Sequence, residues 1–233
     1  MTESNKNNTP KHLAFIMDGN RRWARERNLP TIEGHLRGYE VMIKLPEWFL
    51  SQGVETVSFY AFSTENWNRS QEEVNYLMKL LKKALTNNLD KLIEKGYRIF
   101  LSGRLEELPG DLPQICHDAM AKSINNTSGN INICLNYGGR AEIVDAFKKI
   151  ISHNIEAGQI HEGMIKKYLY NNDLPDPDMI IRTSGEQRLS GFLLWQSAYS
   201  ELFFIKKYWP EMEKGDVEVI LNEYAERKRR FGG

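Results

Sequence analysis

The sequence has no stretch of about 18 apolar residues, so it contains no segment suited to cross a bilayer. Cysteine is scarce. Cys116 and Cys134 are the only two, they lie far apart, and they form no C-x-x-C pair. That pattern supplies no zinc site and fits a reducing, cytoplasmic setting. An excess of charge is also missing, because Lys+Arg and Asp+Glu both number 31 in 233 residues. No global field favours nucleic acid or an anionic membrane, so any attraction for anions has to be local. Internal repeats, linkers and low-complexity blocks are absent too, which leaves one domain over 12–233. The N-terminal MTESNKNNTPKH lacks an apolar core, so it is not expected to be a signal peptide, and residues 1–11 read as a disordered tail.

What is present alternates between two periodicities. HLAFIMD (12–18), VETVSFYAF (54–62), YRIFLSG (97–103), NINICLNYG (130–138), MIIRTSG (179–185) and ELFFIK (201–206) read as strands. Helical spacing marks 34–53, where Pro46 is expected to kink the helix. It also marks 71–95, with Val74, Leu77, Met78, Leu81, Leu85, Leu89 and Leu92, and then 111–125, 140–158 and 216–230. Alternation of this kind predicts an α/β fold in a single domain, with a central, mostly parallel, six-stranded sheet flanked by helices.

In open α/β sheets ligands bind beyond the carboxyl ends of the strands. The segments found there are DGNRRWA (18–24), STENWNR (63–69), YGGR (137–140) and RTSGEQRLS (182–190), and the sixth strand starts at Glu201. Arg22, Arg69, Arg182 and Arg188 offer planar forks that match phosphate oxygens. Ser63 and Ser190 add neutral donors, and Gly19 and Gly185 allow close backbone approach. Asp18 and Glu201 are candidate Mg²⁺ ligands, since Mg²⁺ takes a few carboxylates together with phosphate oxygens. Each residue also has an ordinary role open to it. Asp-Gly is a common turn, loop arginines are usually solvated, and Trp23, Trp67 and Trp195 suit packing. Asp173 and Asp176 have a D-x-x-D spacing, but Pro175 and Pro177 keep that segment from being a helical metal face.

HLAFIMDGNRRWA, Gly34-His35, FYAFSTENWNR, NYGGRAEI, IIRTSGEQRLSGFLLWQSAYSELFF, Trp209-Pro210 and RKRRFGG together resemble the cis-prenyltransferases, above all bacterial undecaprenyl diphosphate synthases. The resemblance covers nearly the whole chain after residue 11. It implies a homodimer that adds isopentenyl diphosphate, in cis, to an allylic diphosphate such as farnesyl diphosphate. The product would be a polyprenyl diphosphate that carries cell-wall glycans, with peripheral membrane contact through that lipid. Asp18 would be the essential carboxylate, positioning Mg²⁺, and Glu201 a second metal ligand. Gly19, Asn20, Arg21, Arg22, Trp23 and His35 would surround the allylic diphosphate, and Asn66 would assist proton removal. Ser63, Thr64, Glu65, Trp67 and Arg69 would form the wall between substrates. Arg182, Arg188, Leu189 and Ser190 would hold isopentenyl diphosphate, and the terminal Arg-Arg-Phe-Gly-Gly would reach the partner subunit's site. The apolar face of 71–95, with Leu80, Leu81, Ala84, Leu85 and Leu89, would line a tunnel for the growing chain. No Asp-Asp pair occurs, in agreement with the cis class.

Four positions depart from the family pattern. Arg21 replaces a usual glycine, a feature shared with some relatives that make shorter products. Thr31 removes a basic residue, Gln187 stands where some relatives have histidine, and Ser70 replaces a common proline. A haloacid-dehalogenase-type phosphatase would need an aspartate at position 16, which is Ile16. A non-catalytic partner subunit would be expected to lack Asp18, Asn66, Arg182, Arg188 and Glu201. A nucleic-acid binder would need more positive charge.

Overall fold

The structure, a computed structural model, describes residues 9–227. Six parallel strands form one sheet in the order β3-β4-β2-β1-β5-β6. They are β1 (His12–Ile16), β2 (Thr56–Ser63), β3 (Tyr97–Ser102), β4 (Gly129–Tyr137), β5 (Met179–Arg182) and β6 (Glu201–Phe204). The helices are α1 (Asn20–Glu26), α2 (Thr31–Leu50), α3 (Gln71–Lys83), α4 (Leu89–Glu94), α5 (Leu112–Ser123), α6 (Gly139–Ser152), α7 (Glu162–Tyr168) and α8 (Asp216–Glu226). The expected fold class is the one observed, with the sheet parallel throughout. Two short helices, α1 and α7, are additions to the sequence reading. NRRWARE and EGMIKKY carry too few apolar residues to show a helical period.

Every residue of β1 is buried, as expected for a strand covered on both faces. Leu13 and Phe15 enter the larger core, whereas Ala14 and Ile16 enter a smaller one on the opposite face with Cys134, Tyr137, Ile180, Phe192 and Leu193. In the larger core Phe15 packs against Phe49, Phe59 and Trp209, with ring centroids 5.4, 5.9 and 5.9 Å away. Burial of each such ring contributes about 1.5–3 kcal/mol. Trp209 also fixes the site above it: its Nε1 donates to Gly38 O at 2.7 Å, and its backbone N donates to Asp18 O at 3.0 Å.

Pro46 lies buried inside α2 without ending that helix, which begins three residues before the expected start. The long amphipathic segment after Ser70 is one helical path, interrupted by a π turn at Ala84–Asn88 between α3 and α4. Ser70 caps it by accepting from Glu73 N. Asp173 and Asp176 lie in the irregular segment before β5, paired with Arg98 and Lys166 respectively. The expected N-terminal tail lies mostly outside the described residues. Pro10 is already buried, and Lys11 N donates to Asp178 Oδ2 at 2.7 Å, so order begins before residue 12. The terminal Arg-Arg-Phe-Gly-Gly lies outside the described residues.

Candidate active site

The order of the strands puts a topological switch at β1, which pairs with β2 on one side and with β5 on the other. Ligands of open α/β sheets bind at such a point, beyond the carboxyl ends. There Ile16 is level with Arg182, so Asp18 emerges beside the end of β5. Arg182 Nη2 donates to Asp18 Oδ2 at 2.8 Å, and its Nη1 donates to Arg188 O at 2.6 Å and to Ser190 Oγ at 2.8 Å. With its guanidinium almost wholly buried, Arg182 ties the carboxylate to the 186–190 loop. Thr183 Oγ1 accepts from Asp18 N and donates to Asp18 O, at 2.9 and 2.6 Å, which locks the turn.

Gly19 follows with φ of 105°, a left-handed conformation that glycine adopts without steric cost. A Cβ there would also stand 2.6 Å from the Tyr208 ring. α1 then presents Arg22 to the 184–186 turn: Nη1 donates to Glu186 Oε1 at 2.9 Å and Nη2 to Ser184 Oγ at 2.5 Å. Glu186 also accepts from Arg188 Nη1 at 2.5 Å, so it gathers two guanidinium groups next to Asp18. Burial pushes the Asp18 carboxyl up. The bond and charge of Arg182, the charge of Arg22 and the Gly19 N–H outweigh that, and hold it below the ordinary value of 3.8. Asp18 is therefore an anion at neutral pH.

The loop is bent sharply. Ser184, Gly185, Ser190, Gly191 and Leu193 all have positive φ, and strained backbone of this kind clusters at functional sites. Its far end is anchored by Gly139 N donating to Gly191 O at 2.8 Å, and by Tyr60 OH donating to Ser190 O and Tyr137 O.

Beside this rim opens a cavity of about 830 Å³, at the large end of the roughly 300–1,000 Å³ typical of small-molecule sites. Its polar end has Asp18, Gly19, Asn20, Arg21, Arg22, Arg25, His35, Asn66 and Arg69. Its apolar end has Met42, Phe62, Leu77, Met78, Leu80, Leu81, Ala84 and Leu135. Leu80, Leu81 and Ala84 thus line the cavity as expected, whereas Leu85 and Leu89 are core. Asn66 is set by a reciprocal cap in which Ser63 N donates to its Oδ1 at 3.1 Å.

Other expected site residues stand outside the cavity. Trp23 lies under the Arg27 guanidinium. Trp67 packs edge-on against Phe62 and donates to Asn136 Oδ1 at 2.8 Å. Thr64 abuts Gly138, Glu65 is exposed, and Leu189 leans on the smaller core. Glu201 requires a correction. It starts β6 level with Met179, three residues before the Arg182–Phe204 pair, which is about 10 Å back along the strand. There it binds Arg227 Nη1 at 2.8 Å. The expected joint grip of Asp18 and Glu201 on one metal does not form within the chain, because the first residue of a parallel strand belongs to the opposite rim.

The sequence reading missed Glu73, Glu186, Arg25 and Thr183. Glu73 lies on an amphipathic helix, where an acid usually marks the solvated face. Glu186 and Thr183 sit inside a segment already singled out for its arginines and serine.

Comparison with known proteins shows the family. A family profile described as "Putative undecaprenyl diphosphate synthase" matches residues 16–232, and the chain belongs to this family of isoprenyl transferases. It is 46% identical over 97% of its length to an isoprenyl transferase of Fusobacterium nucleatum, 97% of which is covered. It is 42% identical to the Micrococcus luteus ditrans,polycis-undecaprenyl-diphosphate synthase ((2E,6E)-farnesyl-diphosphate specific), covering 96% of this chain and 92% of that one. A lavandulyl diphosphate synthase from Lavandula x intermedia, solved with dimethylallyl diphosphate, superposes with a TM-score of 0.93 at 31% identity, covering 97% of this chain and 100% of that one. No helix among the described residues is long and apolar enough to cross a membrane.

Proposed function

We propose that this isoprenyl transferase condenses isopentenyl diphosphate, in cis, with an allylic diphosphate, farnesyl diphosphate being the expected primer, and repeats the step to make undecaprenyl diphosphate for a cell-wall lipid carrier. The observation that carries this reading is one cavity with a polar end of guanidinium groups, Asp18 and Asn66, and an apolar end of Leu77, Leu80, Leu81 and Ala84. A diphosphate head with a hydrocarbon tail has that same division.

The allylic C–O bond breaks and diphosphate leaves. The allylic carbon bonds to the terminal alkene carbon of isopentenyl diphosphate, and a proton departs from the neighbouring methylene to form the new double bond. Arg22, Arg69, Arg182, Arg188 and Ser190 offset the repulsion of two diphosphates and hold the reacting carbons together. The neutral amide of Asn66 cannot itself take up the proton. Its Nδ2 orients a phosphate oxygen that can. Each added isoprene unit carries five carbons, whose burial in the apolar end stabilises the product by roughly 3–4 kcal/mol.

Among the described residues no three His, Cys, Asp or Glu side chains are arranged to hold a metal. Asp18, one anionic carboxylate facing the diphosphate end, fits an ion of the kind bound through one or two carboxylates plus substrate phosphates, namely Mg²⁺. When bound, Mg²⁺ stabilises the charge that develops on the leaving diphosphate. Exposed Val144, Phe147 and Ile151 on the outer face of α6, and Leu202 on the edge strand β6, support the homodimer as the working assembly.

The test is incubation with Mg²⁺, farnesyl diphosphate and labelled isopentenyl diphosphate, followed by sizing of the lipids. Products near eleven isoprene units are expected. One or two added units would move the protein to the short-chain class, and no product with any allylic primer would overturn the enzymatic reading. Asp18→Ala should reduce turnover by about 10²–10³-fold, the effect of losing one preorganised electrostatic group.

A further inference from the structure

Glu73 lies on α3 just behind the cavity wall, and only 12% of its side chain is exposed. One oxygen, Oε1, meets both His35 Nε2 on α2 and Arg69 Nη1 at 2.9 Å. Both partners line the cavity. His35 is itself buried, and its other ring nitrogen, Nδ1, has no partner among the described residues yet is not sealed from open space.

The charged groups facing this pair are Glu73 on α3, Arg69 just before α3 and Arg21 on α1. Burial lowers His35 below its ordinary 6.5. Glu73 pulls the other way, and Arg69 and Arg21 add to the lowering. Burial raises Glu73, but the bond from His35 and the charge of Arg69 outweigh it and keep the carboxyl below 4.5. At neutral pH the carboxylate is ionised and the imidazole neutral, so the hydrogen between them belongs to Nε2 and the lone pair to Nδ1.

We infer that Glu73 is a positioning residue for the tail-bearing substrate: it holds His35 with Nε2–H inward and Nδ1 toward the cavity, and holds the Arg69 fork alongside. When a diphosphate enters, Nδ1 takes one proton from solvent. The imidazolium then donates from both nitrogens, to Glu73 and to a phosphate oxygen. This inference rests on the reading of the cavity as the allylic site. It deepens that reading by naming the residue that sets His35 and Arg69 on the cavity wall.

The experiment pairs ¹⁵N NMR of His35 with steady-state kinetics on wild type and Glu73→Gln, with a thermal melt as fold control. Free wild type should show His35 protonated at Nε2 alone, and inorganic diphosphate should make it doubly protonated at neutral pH. Glu73→Gln should mix the tautomers and abolish that protonation. It should also raise KM for the allylic diphosphate about 10- to 100-fold, the range for a lost charge-assisted hydrogen bond. The KM for isopentenyl diphosphate and kcat should stay near wild type. A wild-type His35 protonated at Nδ1, an unchanged tautomer in the variant, or an equal rise in both KM values would each overturn the inference. Should the variant not fold, the wild-type spectra alone decide the tautomer. A protein inactive on isoprenoid diphosphates would sink the proposed function and leave the NMR result to judge Glu73 independently.

Discussion

Arg182 Nη2 stands 2.8 Å from Asp18 Oδ2, across 164 residues of sequence. This contact joins the end of β5 to the turn after β1, and it makes Arg182 a structural clamp as well as a proposed ligand for substrate. Its Nη groups are all engaged within the protein, and the arginine left more open on the loop is Arg188.

Arg182→Met should therefore cost both stability and activity. Loss of charge-assisted hydrogen bonds to a half-buried carboxylate costs about 1.5–3 kcal/mol, read as a lower denaturation midpoint. The pH dependence has a definite sign. The folded-state pKa of Asp18 lies below 3.8, so its contribution is complete above the unfolded value and disappears as pH falls through the folded one. The variant should lose this contribution, so its stability deficit against wild type should be widest above about pH 4 and should shrink as pH falls further. A deficit that stays the same from neutral pH into acid would refute the clamp.

α1 seats on α2 through two glycines. A Cβ on Gly34 would stand 2.0 Å from the backbone O of Asn20, and one on Gly38 would stand 2.3 Å from Asn20 Oδ1 and 2.9 Å from Trp209. Gly34→Ala should destabilise the protein by about 1–3 kcal/mol through overpacking, measured by urea unfolding. Gly38→Ala should press on the buried Asn20 Oδ1 and on the Trp209 ring, and so lower stability and turnover together.

Ala84 is 1% exposed and lines the apolar end at the start of the π turn. π turns inside helices are frequent at functional sites. Ala84→Phe should shorten the lipid product at a stability cost of about 1–3 kcal/mol. Chromatography of the products checks it. An unchanged length distribution would place the growing chain elsewhere.

Ile151 is 71% exposed on the face of α6 that also carries Val144 and Phe147. Ile151→Asp together with Phe147→Glu should halve the solution mass measured by light scattering if this face joins two copies. A wild-type protein that is already monomeric would remove the interface from the proposal.

Much of the sheet was legible because β1 reads as a buried apolar run and β2 and β4 carry β-branched, aromatic and other apolar residues at most positions. The segments after them were legible because Asp18, Arg69 and Arg182 are unusual neighbours for such runs. α1 was not, since its seven residues are anchored by Gly19, Gly34 and Trp209 rather than by a period of their own. Glu201 was misplaced for a different reason. Its position at the head of a strand was visible, but its consequence depended on the direction of every strand around it. Glu73 was hidden because an acid on an amphipathic helix shows its partners only once α2 is packed against α3.

From the sequence alone came the alternation of strand and helix, the single parallel layer and the residue types suited to diphosphate chemistry, all properties of local pattern. The tertiary structure alone decided which charges meet. Asp18, Arg182, Arg22 and Glu186 form one cluster, while Glu201 joins Arg227 on the far rim, because strand order and direction bring together residues that no local spacing connects.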